Sequence, residues 1–355
     1  MIKPQLKDKI ILMNRIIILI LEIYFLTVSA VSFSKEITEP LWIFDTESKK
    51  GIASAPVPWF GRVYFGAENG VVYCVDAKKG NKVWEFLTGK SIEGSPYLNG
   101  NLLVIGSKDR YVYCLGIDYG EVRWKFHASG EVIGTPCGRE DEVYISSTDG
   151  ALYCLSMSDG ALKWKAKTDG AYDGGPALSG DNVVVGDIKG KVYCYDRKNG
   201  KLIWTYQAGQ SIIASPTADA NHVLIGGLDN RLYCLEADSG GVVWMRQLES
   251  MAVTSPAMSG GKVYVYSGGR LSCYDAYDGH TYWDALTYYN PSSAPVVVKD
   301  TVYLTTGFEI LGIRGGKLAW KFEYPGNSFY STPAYYEGYV FAGTAEGKIF
   351  CVKGW

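Results

Sequence analysis

The sequence has few of the residues on which catalytic and metal sites most often depend. Only 3 of its 355 residues are histidines, and His127, His222 and His280 are widely separated. Zinc sites use ligands at short spacings, which these histidines do not provide. No G-x-S-x-G sequence and no complete phosphate-binding loop motif is present. We therefore expect no catalytic residues and no metal site, although scattered loop residues can form an active site without a local motif.

An excess of charge of either sign is also missing. The chain has 35 basic and 37 acidic residues, so its formal net charge is −2. This balance gives no long-range attraction to nucleic acids or to an acidic membrane surface, and we expect no nucleic-acid partner. The charged fraction is 20%, while 42 glycines and 10 tryptophans are present. Such a composition excludes a disordered chain, a coiled coil and a collagen, and it is typical of a folded protein rich in turns.

A long apolar run occurs only at the amino terminus, in residues 1–34. Four basic residues precede an apolar stretch that extends from Ile16 to about Val31, and small residues follow it. This pattern predicts a secretory signal peptide cleaved after Ala30 or Ser34, starting at Met1 or Met13. A retained membrane anchor over residues 16–33, or a buried helix, stays open as an alternative. Because no cysteine precedes Cys74, no lipoprotein signal is expected. We expect an exported protein that is periplasmic, secreted or at the cell surface.

The rest of the sequence is an eightfold repeat of about 40 residues. Tryptophans recur at steps of 37–42 residues, at Trp42, Trp84, Trp124, Trp164, Trp204, Trp244, Trp283 and Trp320. Prolines recur in the same phase, at Pro56, Pro96, Pro136, Pro176, Pro216, Pro256, Pro295 and Pro333. A repeat of this length is one supersecondary unit that buries its apolar surface against its neighbours.

Each repeat predicts four short strands and no helix. Apolar runs of about five residues are separated by turn sequences such as Asn99-Gly100, and runs such as Val183-Val184-Val185 are apolar on both faces. Four strands in 40 residues predict an all-β fold, an eight-bladed β-propeller of four-stranded antiparallel blades. The last repeat lacks its fourth strand, whereas the strand around Trp42 has no repeat before it. We expect this strand to pair into the last blade, which closes a single propeller domain over residues 40–355.

The segment between each third and fourth strand carries a family resemblance. The stretches are CVDAKKGNKVW (74–84), CYDRKNGKLIW (194–204), CLEADSGGVVW (234–244) and CYDAYDGHTYW (273–283). They resemble the tryptophan-docking motif of pyrroloquinoline-quinone-type propellers, Ala-x-Asp-x-x-x-Gly-x-x-x-Trp. The resemblance implies that the eight tryptophans pack between blades and that each motif glycine takes a positive φ. The acidic residue is expected to accept backbone N–H groups in the turn.

Cysteine replaces the alanine of the family motif in seven repeats. The residues are Cys74, Cys114, Cys154, Cys194, Cys234, Cys273 and Cys351, with Gly312 in the remaining repeat. Equivalent positions of neighbouring blades lie about 10 Å apart, beyond the reach of a disulfide. We expect structural thiols that pack as small apolar groups. Cys137 lies outside the pattern.

The resemblance also suggests which kind of propeller this is. Quinone-dependent dehydrogenases of the family place an adjacent Cys-Cys pair over the cofactor and bind Ca²⁺, but this sequence has no such pair. Among exported propellers without catalysis, the chain resembles the BamB family of outer-membrane protein assembly factors. We expect a monomeric interaction scaffold with a protein partner in the cell envelope and no cofactor. The alternatives are a glycan- or small-ligand-binding propeller and a quinone-dependent dehydrogenase.

The predicted partner surface surrounds the mouth of the central channel. The residues three and four positions before each repeat proline are expected on this face, and most are apolar. Aromatic loop residues without a role in the core are enriched at interfaces. The candidates for partner binding are Glu93, Tyr172, Asp173, Tyr288, Tyr289, Asn290, Phe329 and Tyr330.

Overall fold

The fold was analysed in a computed structural model of the chain, which describes residues 35–287, 289 and 293–354. The predicted signal peptide or anchor, Tyr288 and Asn290 lie outside the described residues. The residues from Glu36 onward form one compact unit. Within the described ranges the regular structure consists of strands, and no helix there is long and apolar enough to cross a membrane.

Eight antiparallel sheets follow one another along the chain as blades. Blade one contains β3 (Val57–Trp59), β4 (Arg62–Gly66), β5 (Val71–Asp76) and β6 (Lys82–Leu87). Blade two contains β7 (Tyr97–Asn99), β8 (Leu102–Gly106), β9 (Tyr111–Gly116) and β10 (Val122–His127). Blade three contains β11 (Cys137–Arg139), β12 (Glu142–Ser146), β13 (Ala151–Ser156) and β14 (Leu162–Lys167). Blade four contains β15 (Ala177–Ser179), β16 (Asn182–Gly186), β17 (Lys191–Asp196) and β18 (Leu202–Gln207).

The second half of the chain continues the pattern. Blade five contains β19 (Thr217–Ala218), β20 (His222–Gly227), β21 (Arg231–Glu236) and β22 (Val242–Gln247). Blade six contains β23 (Ala257–Ser259), β24 (Lys262–Ser267), β25 (Arg270–Asp275) and β26 (Thr281–Leu286). Blade seven contains β27 (Val296–Val298), β28 (Thr301–Thr305), β29 (Glu309–Arg314) and β30 (Lys317–Glu323). Blade eight contains β31 (Ala334–Tyr336), β32 (Tyr339–Gly343), β33 (Lys348–Lys353) and, from the start of the domain, β2 (Trp42–Asp45).

The ring closes as the sequence predicts. Strand β2 pairs antiparallel with β33, with Trp42 opposite Cys351 and Phe44 opposite Ile349. The eight-bladed all-β fold and its closing strand are thus confirmed. The sequence did not predict one feature. A short strand β1 (Lys35–Ile37) pairs with the outer edge of β30, so blade seven has five strands.

The core lies between the blades. Each of eight apolar clusters combines residues of two adjacent blades, as when Val104 and Trp124 of blade two pack with Val143 and Tyr153 of blade three. Second and third strands are therefore buried on both faces, as Val183, Val184 and Val185 show at 0% exposure. This explains why these strands lack polar alternation.

The indole of most motif tryptophans docks onto the next blade. Trp84 Nε1 donates to the carbonyl of Ile117 at 2.8 Å, and Trp164 Nε1 donates to the carbonyl of Arg197 at 2.7 Å. Trp42 closes the ring in the same way, with its Nε1 3.1 Å from the carbonyl oxygen of Ala77. The motif glycines adopt the expected positive φ, for example 74° at Gly120. A Cβ on Gly120 would lie 2.6 Å from the Trp84 ring, so the indole needs glycine as its platform.

Trp320 departs from this arrangement. Its ring is fully buried, but its Nε1 has no hydrogen-bond partner in the structure. Within the described residues, no docking turn joins the third and fourth strands of blade eight, because its fourth strand is β2. A Cβ on Gly312 would lie 2.2 Å from this nitrogen. The indole of Trp320 lies over Gly312 of its own blade and leaves no space there for the side chain of the motif cysteine.

All eight cysteines are free thiols, seven of them buried. Burial raises the pKa of Cys74 and Cys114 to about 12. Cys137 is partly buried, and desolvation raises its pKa to about 12 as well. Thiols with raised pKa values are poor nucleophiles, in keeping with a packing role.

Candidate functional site at the channel mouth

At seven of the eight repeat prolines, the fourth and third residues before the proline have opposite environments, and the corresponding residues before Pro295 lie outside the described residues. The residue four before the proline is buried at 0–2% exposure, at Ile52, Ile92, Val132, Tyr172, Ile212, Ala252 and Phe329. The residue three before it lines the central cavity, at Ala53, Glu93, Ile133, Asp173, Ile213, Val253 and Tyr330. Successive residues of an extended segment point in opposite directions. In each of these seven blades, one side chain therefore enters the core while the next faces the channel.

This alternation sorts the predicted partner-binding residues. Glu93, Asp173 and Tyr330 line one cavity, as the sequence indicated for the channel mouth. Tyr172 and Phe329 are fully buried in the structure, so their side chains belong to the core between blades. Tyr289 is exposed on the segment before blade seven. Binding of a partner by any of these residues stays a prediction.

The cavity is walled largely by small residues. Its volume is about 320 Å³, and glycine, serine, threonine and alanine form much of its wall. A belt of hydroxyls joins the blades there: the N–H of Ala55 donates to Ser95 Oγ at 2.9 Å and the N–H of Ser95 donates to Thr135 Oγ1 at 3.0 Å. The same bond joins Gly175 to Ser215 at 2.8 Å. The small side chains thus hold the inner strands together.

One side of the mouth is acidic. Tyr330 donates a hydrogen bond to Glu68 Oε1 at 2.6 Å, and Lys108 forms an ion pair with Glu93. Burial, followed by the charge of Glu93, raises the pKa of Asp173, although Lys108 partly opposes this. Burial and the hydrogen bond to Glu68 likewise raise the pKa of Tyr330, so it stays a neutral donor. This sector, formed by Glu68, Glu93, Asp173 and Tyr330, favours cationic groups.

The mouth also exposes apolar side chains, in blades four, six and seven. They come from the segments before the first strands and from the loops between second and third strands, at Ile188, Met251, Val253, Tyr289 and Phe308. Phe308 is 56% and Tyr289 40% exposed, and their ring centroids lie 5.3 Å apart. We name these five residues the apolar sector. Sequence reasoning missed all but Tyr289, although the loops between second and third strands recur at a fixed position in the repeat.

The described part of the chain contains no group of three or more His, Cys, Asp or Glu side chains placed to hold a metal ion. In the acidic sector, Lys108 and Tyr330 already engage two of the carboxylates. The arrangement can bind by hydrogen bonds, charge and apolar contact.

Comparisons with known proteins agree with this architecture. A crystal structure of BamB from Moraxella catarrhalis superposes with a TM-score of 0.74 at 16% identity and covers 89% of this chain and 99% of its own. The computationally designed Ika8 protein superposes with a TM-score of 0.77, also at 16% identity, covering 90% of this chain and 98% of its own. At this identity both show the fold alone. No individual curated protein matches the sequence significantly.

The family comparison goes further. The sequence model described as outer membrane protein assembly factor BamB matches residues 68–207, 158–230 and 212–354. These overlapping matches span nearly the whole propeller and include seven of its eight blades entirely or nearly so. The chain therefore belongs to the family of the outer membrane protein assembly factor BamB.

Proposed function

We propose that this protein is an exported, non-catalytic scaffold of outer-membrane protein assembly that binds a protein partner at the channel mouth. Membership of the BamB family supports a role in assembly at the level of the family. The observation that carries the proposed surface is the apolar sector, where exposed aromatic and aliphatic side chains of blades four, six and seven share one face. Exposed apolar patches rimmed by polar residues are typical of protein-binding sites.

Chemical contrast across the mouth suggests how a partner is oriented. The apolar sector supplies buried contact area, and Phe308 and Tyr289 are the residue types that most often dominate binding energy when they pack into a partner. The acidic sector attracts basic side chains and disfavours acidic ones. We expect a partner segment that combines apolar residues with lysine or arginine.

The test is complementation of a gene deletion in the organism that produces the protein, with variants on two faces of the propeller. Deletion of the gene is expected to lower the amount of folded outer-membrane protein, and the wild-type gene restores it. A double variant with Tyr289→Ser and Phe308→Ser should not restore it, because loss of two aromatic contacts weakens partner binding by about 30-fold or more. The matched control is Tyr119→Ser, which removes a tyrosine that is 82% exposed in a docking turn of blade two.

Two results would contradict the proposal. One is a deletion strain whose outer-membrane proteins assemble normally. The other is a clear rise in the melting temperature of the pure protein with pyrroloquinoline quinone and Ca²⁺, which would indicate a cofactor-dependent enzyme.

A further inference from the structure

An aromatic pair fills most of the outer gaps between blades. The residue two positions after each motif tryptophan meets the residue before the motif cysteine of the next blade. The ring-centroid distances are 5.6 Å for Phe44–Tyr73, 5.3 Å for Phe86–Tyr113, 5.3 Å for Phe126–Tyr153, 5.5 Å for Tyr206–Tyr233 and 6.0 Å for Phe322–Phe350. Five of the eight gaps are filled by two rings in this way.

The gap between blades three and four lacks one of the two rings but is filled by another residue. Ala166 stands two positions after Trp164, and it belongs to the same apolar cluster as Tyr193. Tyr172 lies with its ring centroid 6.3 Å from that of Tyr193, and both side chains are buried. The position of Tyr172 carries isoleucine, valine or alanine in several other blades. Its larger ring therefore compensates for the small side chain of Ala166.

The gap between blades five and six lacks both rings and is polar. Arg246 and Ser272 occupy the pair positions, and a cavity of about 200 Å³ lies beside Ser272. Arg270 reaches into its wall and forms ion pairs with Glu249 at 3.4 Å and Asp284 at 3.7 Å. The charged groups of this gap pair with one another, and its lining is mostly polar.

The gap between blades six and seven lacks both rings and is apolar. Ala285 and Leu311 occupy the pair positions, and both line a cavity of about 410 Å³. Leu286, Ile313 and Leu318 form more of its wall. A cavity of about 150 Å³ with an aliphatic lining is enough to take up benzene. This gap is therefore large enough for the side chain of phenylalanine, tyrosine or tryptophan.

The cavity is also continuous with the partner-binding face. Of the described residues, Tyr289 alone brings a ring to its wall, and Tyr289 belongs to the apolar sector as well. Lys321 and Glu309 form an ion pair at 3.4 Å along the same wall. A polypeptide lying over the apolar sector at Tyr289 can thus place a side chain in the gap.

We propose that the gap between blades six and seven receives an aromatic side chain of the protein partner, which completes the pair that the chain itself lacks there. We infer an aromatic occupant because two aromatic rings of this protein fill the equivalent space in five other gaps. The proposal rests on the proposed function, because it assumes a protein partner at this face. It adds the chemical class of the anchoring residue and the place where that residue binds.

The first experiment needs no partner. Indole and p-cresol, which carry the side-chain rings of tryptophan and tyrosine, are titrated into the full chain and followed by ligand-observed NMR. We expect saturable binding with a Kd of about 1 mM, typical of so small an apolar ligand. Ala285→Phe, which fills the gap from within, should weaken this binding at least tenfold. Leu311→Tyr fills the gap from blade seven and replaces Ala285→Phe in the experiment if that variant does not fold.

A matched pair of leucines supplies the control. Leu286 and Leu87 both stand three positions after their motif tryptophan and are both exposed. Leu286→Ser removes part of the cavity wall and should weaken indole binding severalfold. Leu87→Ser makes the same change beside the gap that Phe86 and Tyr113 fill and should leave binding unchanged.

The second experiment measures partner affinity with the same variants. Loss of both indole and partner binding in Ala285→Phe supports the proposal. Absence of saturable indole binding to the wild type overturns it, as does a variant that loses indole but retains the partner. Neither of these results bears on the proposed function, which the deletion of the gene tests separately.

Discussion

At the scale of single residues, glycine has two distinct duties in this propeller. Gly160 and Gly180 both have a positive φ, of 73° and 56°. A Cβ on Gly160 would lie 2.6 Å from the ring of Trp124, whereas a Cβ on Gly180 would meet no atom within 4 Å. The first glycine is required by backbone conformation and by contact with the indole, the second by conformation alone.

This difference predicts unequal costs for the same substitution. Gly180→Ala should lower the free energy of unfolding by about 1–2 kcal/mol, the cost of a left-handed residue with a Cβ. Gly160→Ala should cost about 1–3 kcal/mol more, because the methyl group displaces a buried ring. Urea denaturation of the two variants measures the difference. Equal costs would show that the indole moves away freely and that docking contributes little rigidity.

At the scale of structural elements, the fourth strand of each blade fastens that blade to the next. Trp124 donates its Nε1 hydrogen to the carbonyl of Met157 at 2.9 Å. The indole of Trp320 is buried without such a bond. Its acceptor turn is missing from the described residues because β2 closes the propeller as the fourth strand of blade eight. A motif tryptophan such as Trp124 therefore both packs against the next blade and donates a hydrogen bond to it. Trp320 retains only the packing role.

A pair of variants separates the two roles. Trp124→Phe removes apolar area and leaves the buried carbonyl of Met157 without its donor, which costs about 1–3 kcal/mol beyond the loss of area. Trp320→Phe removes similar area but also removes an unpaired buried N–H, so it should cost less. The difference in denaturation midpoint measures the hydrogen bond. A larger loss for Trp320→Phe would contradict the assignment of its nitrogen as unpaired.

At the scale of the whole molecule, stability depends on joining the two ends of the domain. Strand β2 supplies Trp42 and Phe44 to the cluster between blades eight and one, and the Phe44 ring lies 5.6 Å from that of Tyr73. Without β2, the edge of β33 is open and this cluster is uncovered. An open sheet edge beside an apolar surface favours association between molecules.

Two truncations test the closure. A chain that begins at residue 47 lacks β1 and β2, and we expect it to lose at least about 3–5 kcal/mol, the cost of deleting one large aromatic side chain, and to self-associate. A chain that begins at residue 38 lacks only β1 and should keep the size and most of the stability of the intact propeller. Sedimentation velocity compares them. A stable, unassociated chain from residue 47 would show that the ring does not depend on its closing strand.

The sequence by itself determined the eight blades, the docking tryptophans and the closing strand, because the repeat imposes the same local rules at a period of about 40 residues. It also placed Glu93, Asp173 and Tyr330 at the channel, but it did not separate them from the buried Tyr172 and Phe329. Only the tertiary structure decided that, since one residue of an extended segment faces the channel and its neighbour faces the next blade. The tertiary structure also revealed the cavity beside Ala285 and Leu311. These residues come from different repeats and are unremarkable in sequence, and the space they leave exists only where two blades meet.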